Sequence, residues 1–392
     1  MNYDKIVCRR VADVPPSGIR KFFDIVSEKK DAISLGVGEP DFTTPWRYSE
    51  AAIYSLKKGA THYSSNWGLT QLRKLIAQYE RDRFHVEYSW QDEILVTVGA
   101  SEGIDLAMRA LVEPGDEVIV PDPAYVSYAP CIAFAGGVCV PVPTKAENGF
   151  KLMPEDLRAA ITERTKAVIL PYPNNPTGAV MRKEDMEAIA AVLRGTDIIA
   201  ISDEIYAELT YGEEKHVSFA AIDGMRERTI TLNGFSKSFA MTGWRMGYAC
   251  APRELLKVMF RIHQYTMLCA PVQAQHASIE ALKWALESDF EDVKRMYREY
   301  DRRRKFVVAA LNDMGLKCHE PMGAFYVFPS IESTGLTSQQ FCEALLREQK
   351  VAAVPGDAFG SLGEGHIRMS YATGMENIVE AMRRTRLFME SR

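Results

Sequence analysis

The sequence is poorest in the features that would tie it to a membrane, a nucleic acid or an oxidising compartment. No run approaches the ~18 consecutive apolar residues of a spanning helix. The N-terminus, with Asp4 and Asp13 and no apolar core, does not read as a secretory signal. Positive charge is not in excess: 47 Lys and Arg stand against 52 Asp and Glu, so neither nucleic acid nor anionic lipid is an expected partner. The basic cluster Arg302-Arg303-Arg304-Lys305 lies among acidic residues on a helix-like stretch and reads as a solvated face. Cysteine never occurs in a C-x-x-C pair or at metal-ligand spacing. Cys8, Cys131, Cys139, Cys250, Cys269, Cys318 and Cys342 are odd in number and have mostly apolar neighbours, which fits reduced, buried thiols and no metal site. Internal repeats and low-complexity tracts are also missing. A cytoplasmic globular protein is the expectation that remains.

What is present is an ordinary globular balance, 47% hydrophobic and 25% charged, in 392 residues, long enough for a large core and a smaller appended domain. Apolar β runs at 94–98, 117–120, 137–142, 167–170, 197–202, 229–232 and 246–251 alternate with helical patterns such as 102–111, 154–161 and 183–193. Runs like Asp197-Ile198-Ile199-Ala200-Ile201-Ser202 lack alternation, as strands covered on both faces do. The fold class is therefore α/β, with a mainly parallel seven-stranded sheet covered by helices. Ligands of such sheets collect at the carboxyl ends of the strands. After Pro252 long helical patterns run from 253 to about 268, 271 to 286 and 290 to about 314. The tail reads as α+β, with strands at 325–331, 351–354 and 366–371 and helices at 338–348 and 376–389. The first forty residues suggest an arm, a short helix at 19–26 and an extended segment at 33–36. The simplest partition is an arm and part of a small domain at 1–45, a large domain at 46–290, and the rest of the small domain at 291–392.

Most of the chemically informative segments follow expected strands. Gly99-Ala100-Ser101 ends one strand and opens a helix, where free N–H groups and a positive dipole end suit a phosphate; a plain turn capped by Ser101 explains the same residues. Pro171-Tyr172-Pro173-Asn174-Asn175-Pro176-Thr177-Gly178 makes a stiff loop that presents amides at a strand end, or simply a surface turn. Asp203, closing a buried run, needs a cationic or hydrogen-bonding partner, and Tyr206 lies about one turn on; a helix cap is the plainer role for Asp203. Lys237 stands between Phe235 and Phe239 with no other charge until Arg245. An amine in apolar surroundings has a depressed pKa and becomes nucleophilic, although most lysines are solvated surface residues.

Together these segments resemble the class I/II aminotransferases of fold type I, over nearly the whole chain from about Pro16. The resemblance rests on Ser236-Lys237 leading to Thr242-Gly243-Trp244-Arg245, on Asn174-Asn175-Pro176-Thr177-Gly178, and on Asp203-Glu204-Ile205-Tyr206, in family order and spacing. It implies pyridoxal 5'-phosphate held as a Schiff base on Lys237, with Asp203 against the pyridine nitrogen and Tyr206 and Asn175 on the ring's phenolic oxygen. It implies Tyr125 stacked on the ring, where the residue alone reads as a core aromatic. The phosphate falls to Gly99, Ala100, Ser101, Ser236 and Arg245, and Tyr63 would serve the phosphate of a neighbouring subunit, making a homodimer with shared sites. Arg368, otherwise an exposed strand arginine, would grip the substrate α-carboxylate with Gly38 and Asn175 beside it. No metal is implied.

The resemblance thus implies a ping-pong transfer of an α-amino group to a 2-oxo acid such as 2-oxoglutarate. A C–S β-lyase would use the same lysine, aspartate and arginine. A ligand-sensing module fused to a DNA-binding unit is disfavoured by the short N-terminus and the lack of a basic stripe. One acidic-substrate branch carries a lysine where this chain has Ser101. Residues 16–23 and 35–42 are similar to the aromatic aminotransferases, and 263–271 with 365–368 to the N-acetyl-diaminopimelate aminotransferases. No motif marks the side-chain pocket, and the choice between these two stays open.

Overall fold

A computed structural model describes residues 1–16, 18, 31–213 and 215–392; the helix expected at 19–26 lies outside them. All seven apolar runs of the first 250 residues enter one sheet: β2 (Ile94–Thr97), β3 (Glu117–Asp122), β4 (Val138–Pro143), β5 (Thr165–Leu170), β6 (Ile199–Asp203), β7 (Thr229–Gly234) and β8 (Gly247–Cys250). Their order is β2-β8-β7-β6-β5-β3-β4. Every neighbouring pair is parallel except those made by β8, which runs against both β2 and β7. Every residue of β2, β3, β7 and β8 is buried, which is why their sequences carry no alternation, whereas the edge strand β4 is half exposed.

The reversal at β8 builds the site. The chain leaves β7 at Gly234 and returns within twelve residues, too short for a helical crossover, so the strand comes back antiparallel. Gly247 makes the return close: a Cβ there would lie 2.5 Å from the backbone at Gly99 and Ala100. The loop between β7 and β8, which carries Lys237, is thereby pressed against the start of the helix Gly99–Leu111.

Beyond Pro252 the helices Arg253–Thr266, Val272–Glu287 and Glu291–Asp313 lead to a three-stranded antiparallel sheet. It is formed by β11 (Val354–Pro355), β12 (Ile367–Ser370) and β9 (Tyr326–Val327), flanked by Ser338–Gln349 and Met375–Glu390. β1 (Ile33–Ser34) pairs in parallel with β10 (Val351–Ala352), joining the two ends of the chain.

Several expectations are corrected. The strand expected at 325–331 shortens to two residues, because Pro329 has no N–H to continue the ladder. The strand at 351–354 divides at Ala353: β10 pairs with β1, β11 with β12. Helices at Trp46–Lys57, Thr70–Phe84 and Tyr128–Ala135 were not foreseen; the last is apolar on nearly every side and contains Pro130, so periodicity marks nothing there. Nor is the 302–305 cluster a solvated face. Arg303 and Arg304 are buried, the first bonded to Asp41 and Glu299, the second to Asp301 and Glu320, and only Arg302 and Lys305 stay exposed. Of the cysteines, Cys250, Cys318 and Cys342 are buried, while Cys8 is exposed.

Candidate active site

A cavity of about 680 Å³ opens beyond the carboxyl ends of β5 and β6, where strand-end chemistry was expected. Ala100, Ser101, Tyr125, Asn175, Asp203, Tyr206, Ser236, Lys237, Arg245, Gly38 and Arg368 all line it. Residues scattered over 330 positions of sequence therefore share one space. Gly99 lies just behind the wall, and Tyr63 lies elsewhere.

Lys237 is the cation at the centre. Its Nζ donates to the carbonyl of Gly38 at 2.6 Å. Burial pushes its pKa down to about 8, helped by the nearby guanidinium groups of Arg368 and Arg245 and opposed by Glu39 and Asp203. A neutral amine is thus accessible near physiological pH. The aromatic neighbours of the amine differ from those anticipated. Phe235 and Phe239 turn into the core with Tyr48, Tyr79 and Tyr248, while the rings near Nζ are Tyr206 and Phe325, with centroids at 5.8 and 5.7 Å.

Asp203 is the last residue of β6. Its Oδ2 accepts from the Tyr128 hydroxyl at 2.7 Å and its Oδ1 from the N–H of Ile205 at 3.3 Å. Burial raises this carboxyl, and those two bonds pull it back. Tyr125 packs edge-on against Tyr128, with centroids 5.6 Å apart at 83°. Tyr206 shares a hydrogen bond of 2.8 Å with the hydroxyl of Tyr326.

At the opposite end Arg368, fully buried on β12, donates Nη1 to Asn175 Oδ1 at 2.9 Å and Nη2 to the Gly36 carbonyl at 2.5 Å. Its Nε has no partner. An unspent buried donor of this kind costs free energy unless a ligand takes it up. Gly38 is required by space: a Cβ there would sit 2.7 Å from the Tyr326 hydroxyl.

The third corner is the helix start. Val98, with no acceptor in its side chain, is the N-cap of Gly99–Leu111, so the N-cap side chain covers none of the amides that follow it; the turn capped by Ser101 is not what forms. Arg245 adopts a left-handed backbone (φ 53°), donates to the Thr242 carbonyl, and lays its guanidinium where a Cβ of Gly99 would come within 2.6 Å of Nη2. The helix-start amides, the Ser101 and Ser236 hydroxyls and one guanidinium are the groups that could hold a phosphate dianion. With Asp203 placed for a pyridinium and Lys237 for a carbonyl carbon, the donor set fits pyridoxal 5'-phosphate.

Tyr63 does not reach this cavity. It is 82% exposed and borders a separate depression with Met267 and Cys269. Tyr128, Tyr326, Glu39 and Ile104 line the site without having been singled out from sequence. Tyr128 had one signal, its place three residues after Tyr125 at the entry to a helix; the others had none.

The family model described as aminotransferase class I and II matches residues 30–384. An aspartate aminotransferase of Pyrococcus abyssi is 49% identical over 371 residues, 95% of each chain. Aromatic-amino-acid aminotransferase 2 of Thermococcus litoralis is 45% identical over 375 residues, 96% of each. The crystal structure of an aromatic aminotransferase from Pyrococcus horikoshii OT3 superposes with a TM-score of 0.90 at 46% identity, covering 94% of this chain and 99% of that one.

Proposed function

The chain belongs to the class I and II aminotransferases, fold-type I enzymes that depend on pyridoxal 5'-phosphate, and from that premise we propose how its residues divide the work and which substrates they serve. The reaction moves the α-amino group of an amino acid to a 2-oxo acid, 2-oxoglutarate, in two half-reactions. When bound, the cofactor supplies the carbonyl that takes up the amino group and an electron-poor ring that stabilises negative charge at Cα. Lys237 holds the cofactor through its amine and, once released, carries the proton from Cα. Asp203 keeps a positive charge on the ring nitrogen, and Tyr206 and Asn175 hold the phenolic oxygen. Tyr125 covers the ring face, and the cradle of Gly99, Ala100, Ser101, Ser236 and Arg245 anchors the phosphate.

One observation carries this reading. A buried amine with depressed proton affinity shares a cavity with a buried arginine whose Nε is unspent. The arginine fork takes the substrate α-carboxylate, with Gly38 and Asn175 alongside, and so orients the Cα–H bond toward the amine.

For the donor we propose an aromatic amino acid or N-acetyl-LL-diaminopimelate. Among the described residues the only cations lining the cavity are Lys237, Arg245 and Arg368, and each already has a task. Ser101, Ile104, Val126 and Ile205 add no positive charge, and Glu39 adds a negative one. The second carboxylate of 2-oxoglutarate, and the distal carboxylate of N-acetyl-LL-diaminopimelate, are then left to hydroxyl and backbone donors, so the missing cation favours the aromatic donor of the two. Mixing the holoenzyme with aromatic, acidic, branched and N-acetylated diamino acids, and following the cofactor's visible absorbance, tests the assignment. Aromatic or N-acetylated donors should convert it fastest. A faster acidic donor would overturn the substrate reading, and release of pyruvate and ammonia from a cysteine conjugate would overturn transamination.

We further assign the protein to the cytoplasm as a homodimer in which Tyr63 serves the neighbouring subunit's phosphate; its exposure and distance from its own cavity support that role. No described helix is long and apolar enough to cross a membrane. We divide the chain at 1–45, 46–290 and 291–392, with the pairing of β1 and β10 supporting a small domain drawn from both ends.

A further inference from the structure

We propose that Glu102 and His263 are positioning residues that keep the start of the helix Gly99–Leu111 open for the cofactor's phosphate. The proposal rests on the phosphate cradle assigned above. Because Val98 cannot cap the helix with its side chain, the amides that follow are open to any acceptor within reach. The one carboxylate in the first helical turn is that of Glu102. A carboxylate at that place ordinarily folds back on the helix start and is drawn to its positive end. Here it would compete with a phosphate for the same amides and repel it.

The structure lets that carboxylate fold back only as far as the N-cap residue. Glu102 Oε2 accepts from the N–H of Val98 at 2.5 Å, one residue outside the helix. Its Oε1 is bonded to Nδ1 of His263 at 2.6 Å. His263 projects from Arg253–Thr266, which packs along Gly99–Leu111, and is completely buried. Its Nε2 has no partner, so the bond to Glu102 is the only polar contact of the imidazole. A polar ring buried at that cost, for one bond, is explained if the bond fixes something that matters. What it fixes is the carboxylate beside the phosphate cradle. Both oxygens are spent away from the Ala100 and Ser101 amides, which stay free for the ligand.

The test is phosphate affinity of the apoenzyme, read by titration with pyridoxal phosphate and by competition with inorganic phosphate. His263→Leu frees the carboxylate and should weaken both about tenfold, the scale of one charge-assisted hydrogen bond. His263→Asn, which places an amide nitrogen near the Nδ1 position, should keep affinity within about threefold on the same scale. Glu102→Gln in the His263→Leu background removes the competing charge and should recover most of the loss, a rescue that mere loss of packing does not give. If His263→Leu fails to fold, the largely buried Glu102 offers Glu102→Ala, which removes the negative charge beside the cradle, frees the Val98 N–H and should tighten phosphate several-fold. Unchanged phosphate affinity in a folded His263→Leu or Glu102→Ala protein would overturn the proposal. Arg245→Met separates the two assumptions: no effect there sinks the cradle itself, whereas a loss there with no change at His263 or Glu102 sinks only the positioning pair.

Discussion

Asp203 and Glu204 are neighbours in sequence, yet they face opposite sides of a strand end and live in opposite economies of hydrogen bonding. Asp203 looks into the cavity, where Tyr128 and one backbone N–H serve it and room remains for a ligand. Glu204 looks into the core with no exposure at all. Its Oε1 takes the hydroxyls of Ser202 and Ser218 at 2.8 Å and the N–H of Phe219 at 3.3 Å, and its Oε2 meets His216 Nε2 at 2.9 Å. The contrast extends along both faces. On the cavity side Arg368 keeps a donor unspent and the helix amides stay uncapped, whereas the core side is nearly saturated. Unsatisfied groups are destabilising until a ligand binds, so they mark where binding free energy has been reserved.

The strongest way to break this comparison is Lys237→Ala. On the cavity side the loss should fall on chemistry: turnover down by at least ~10³-fold, no lysine adduct after borohydride reduction, and thermal stability of the apoenzyme unchanged or raised, because a desolvated amine has been removed. A clear fall in stability would mean that the cavity face is structural after all. Glu204→Ala should do the reverse. It strands two hydroxyls and a buried imidazole, so a loss on the order of 3–5 kcal/mol is expected in denaturant unfolding. Activity per folded molecule, measured at low temperature, should stay within a few-fold. Collapse of turnover with an unshifted unfolding midpoint would erase the distinction.

Arg368→Lys sharpens the same contrast within the cavity. A point charge replaces a planar fork, so KM for every amino donor should rise by ~10–100-fold, about 1.4–2.7 kcal/mol, while cofactor affinity holds. Loss of cofactor affinity instead would place Arg368 in the wrong half of the site.

How legible this was from sequence depended on whether a feature is carried by a run or by a single residue. The seven strands of the large sheet were readable because burial on both faces writes an unbroken apolar run. The shared location of Asn175, Asp203 and Lys237 followed from strand ends together with a recurring motif. Tyr128, Tyr326 and the bond made by His263 were not readable, since each acts through one hydrogen bond to a distant segment that no motif marks. The same limit explains Arg303 and Arg304: charge composition describes a solvated helix, and only the fold brings Asp41 and Glu320 to meet them. The division at Ala353 escaped for a related reason, as pairing partners are set by topology and leave no trace in a four-residue apolar run.

Glu80 departs from the saturated pattern, and it supplies a test that shows only as pH rises. Glu80 is wholly buried next to Glu204 and Glu208. It accepts from the Tyr248 hydroxyl at 2.6 Å through Oε1, while Oε2 finds no partner. Burial first, then the neighbouring Glu204 charge, pushes its pKa up to about 8. Its folded-state value therefore lies above the ordinary 4.5, so its stabilising contribution is complete below about pH 4.5 and is lost as pH rises through about 8. Glu80→Gln keeps an acceptor for Tyr248 and cannot ionise. Unfolding free energies of the two proteins should agree near pH 4.5 and diverge with rising pH, the variant gaining on the order of 4–5 kcal/mol by pH 8.5. Because other groups titrate over the same range, the difference between the two curves is the quantity to follow. A constant difference would mean that Glu80 is ionised throughout and that the core face tolerates an unpaired charge, which is the one result that would put both faces of the strand end under the same rule.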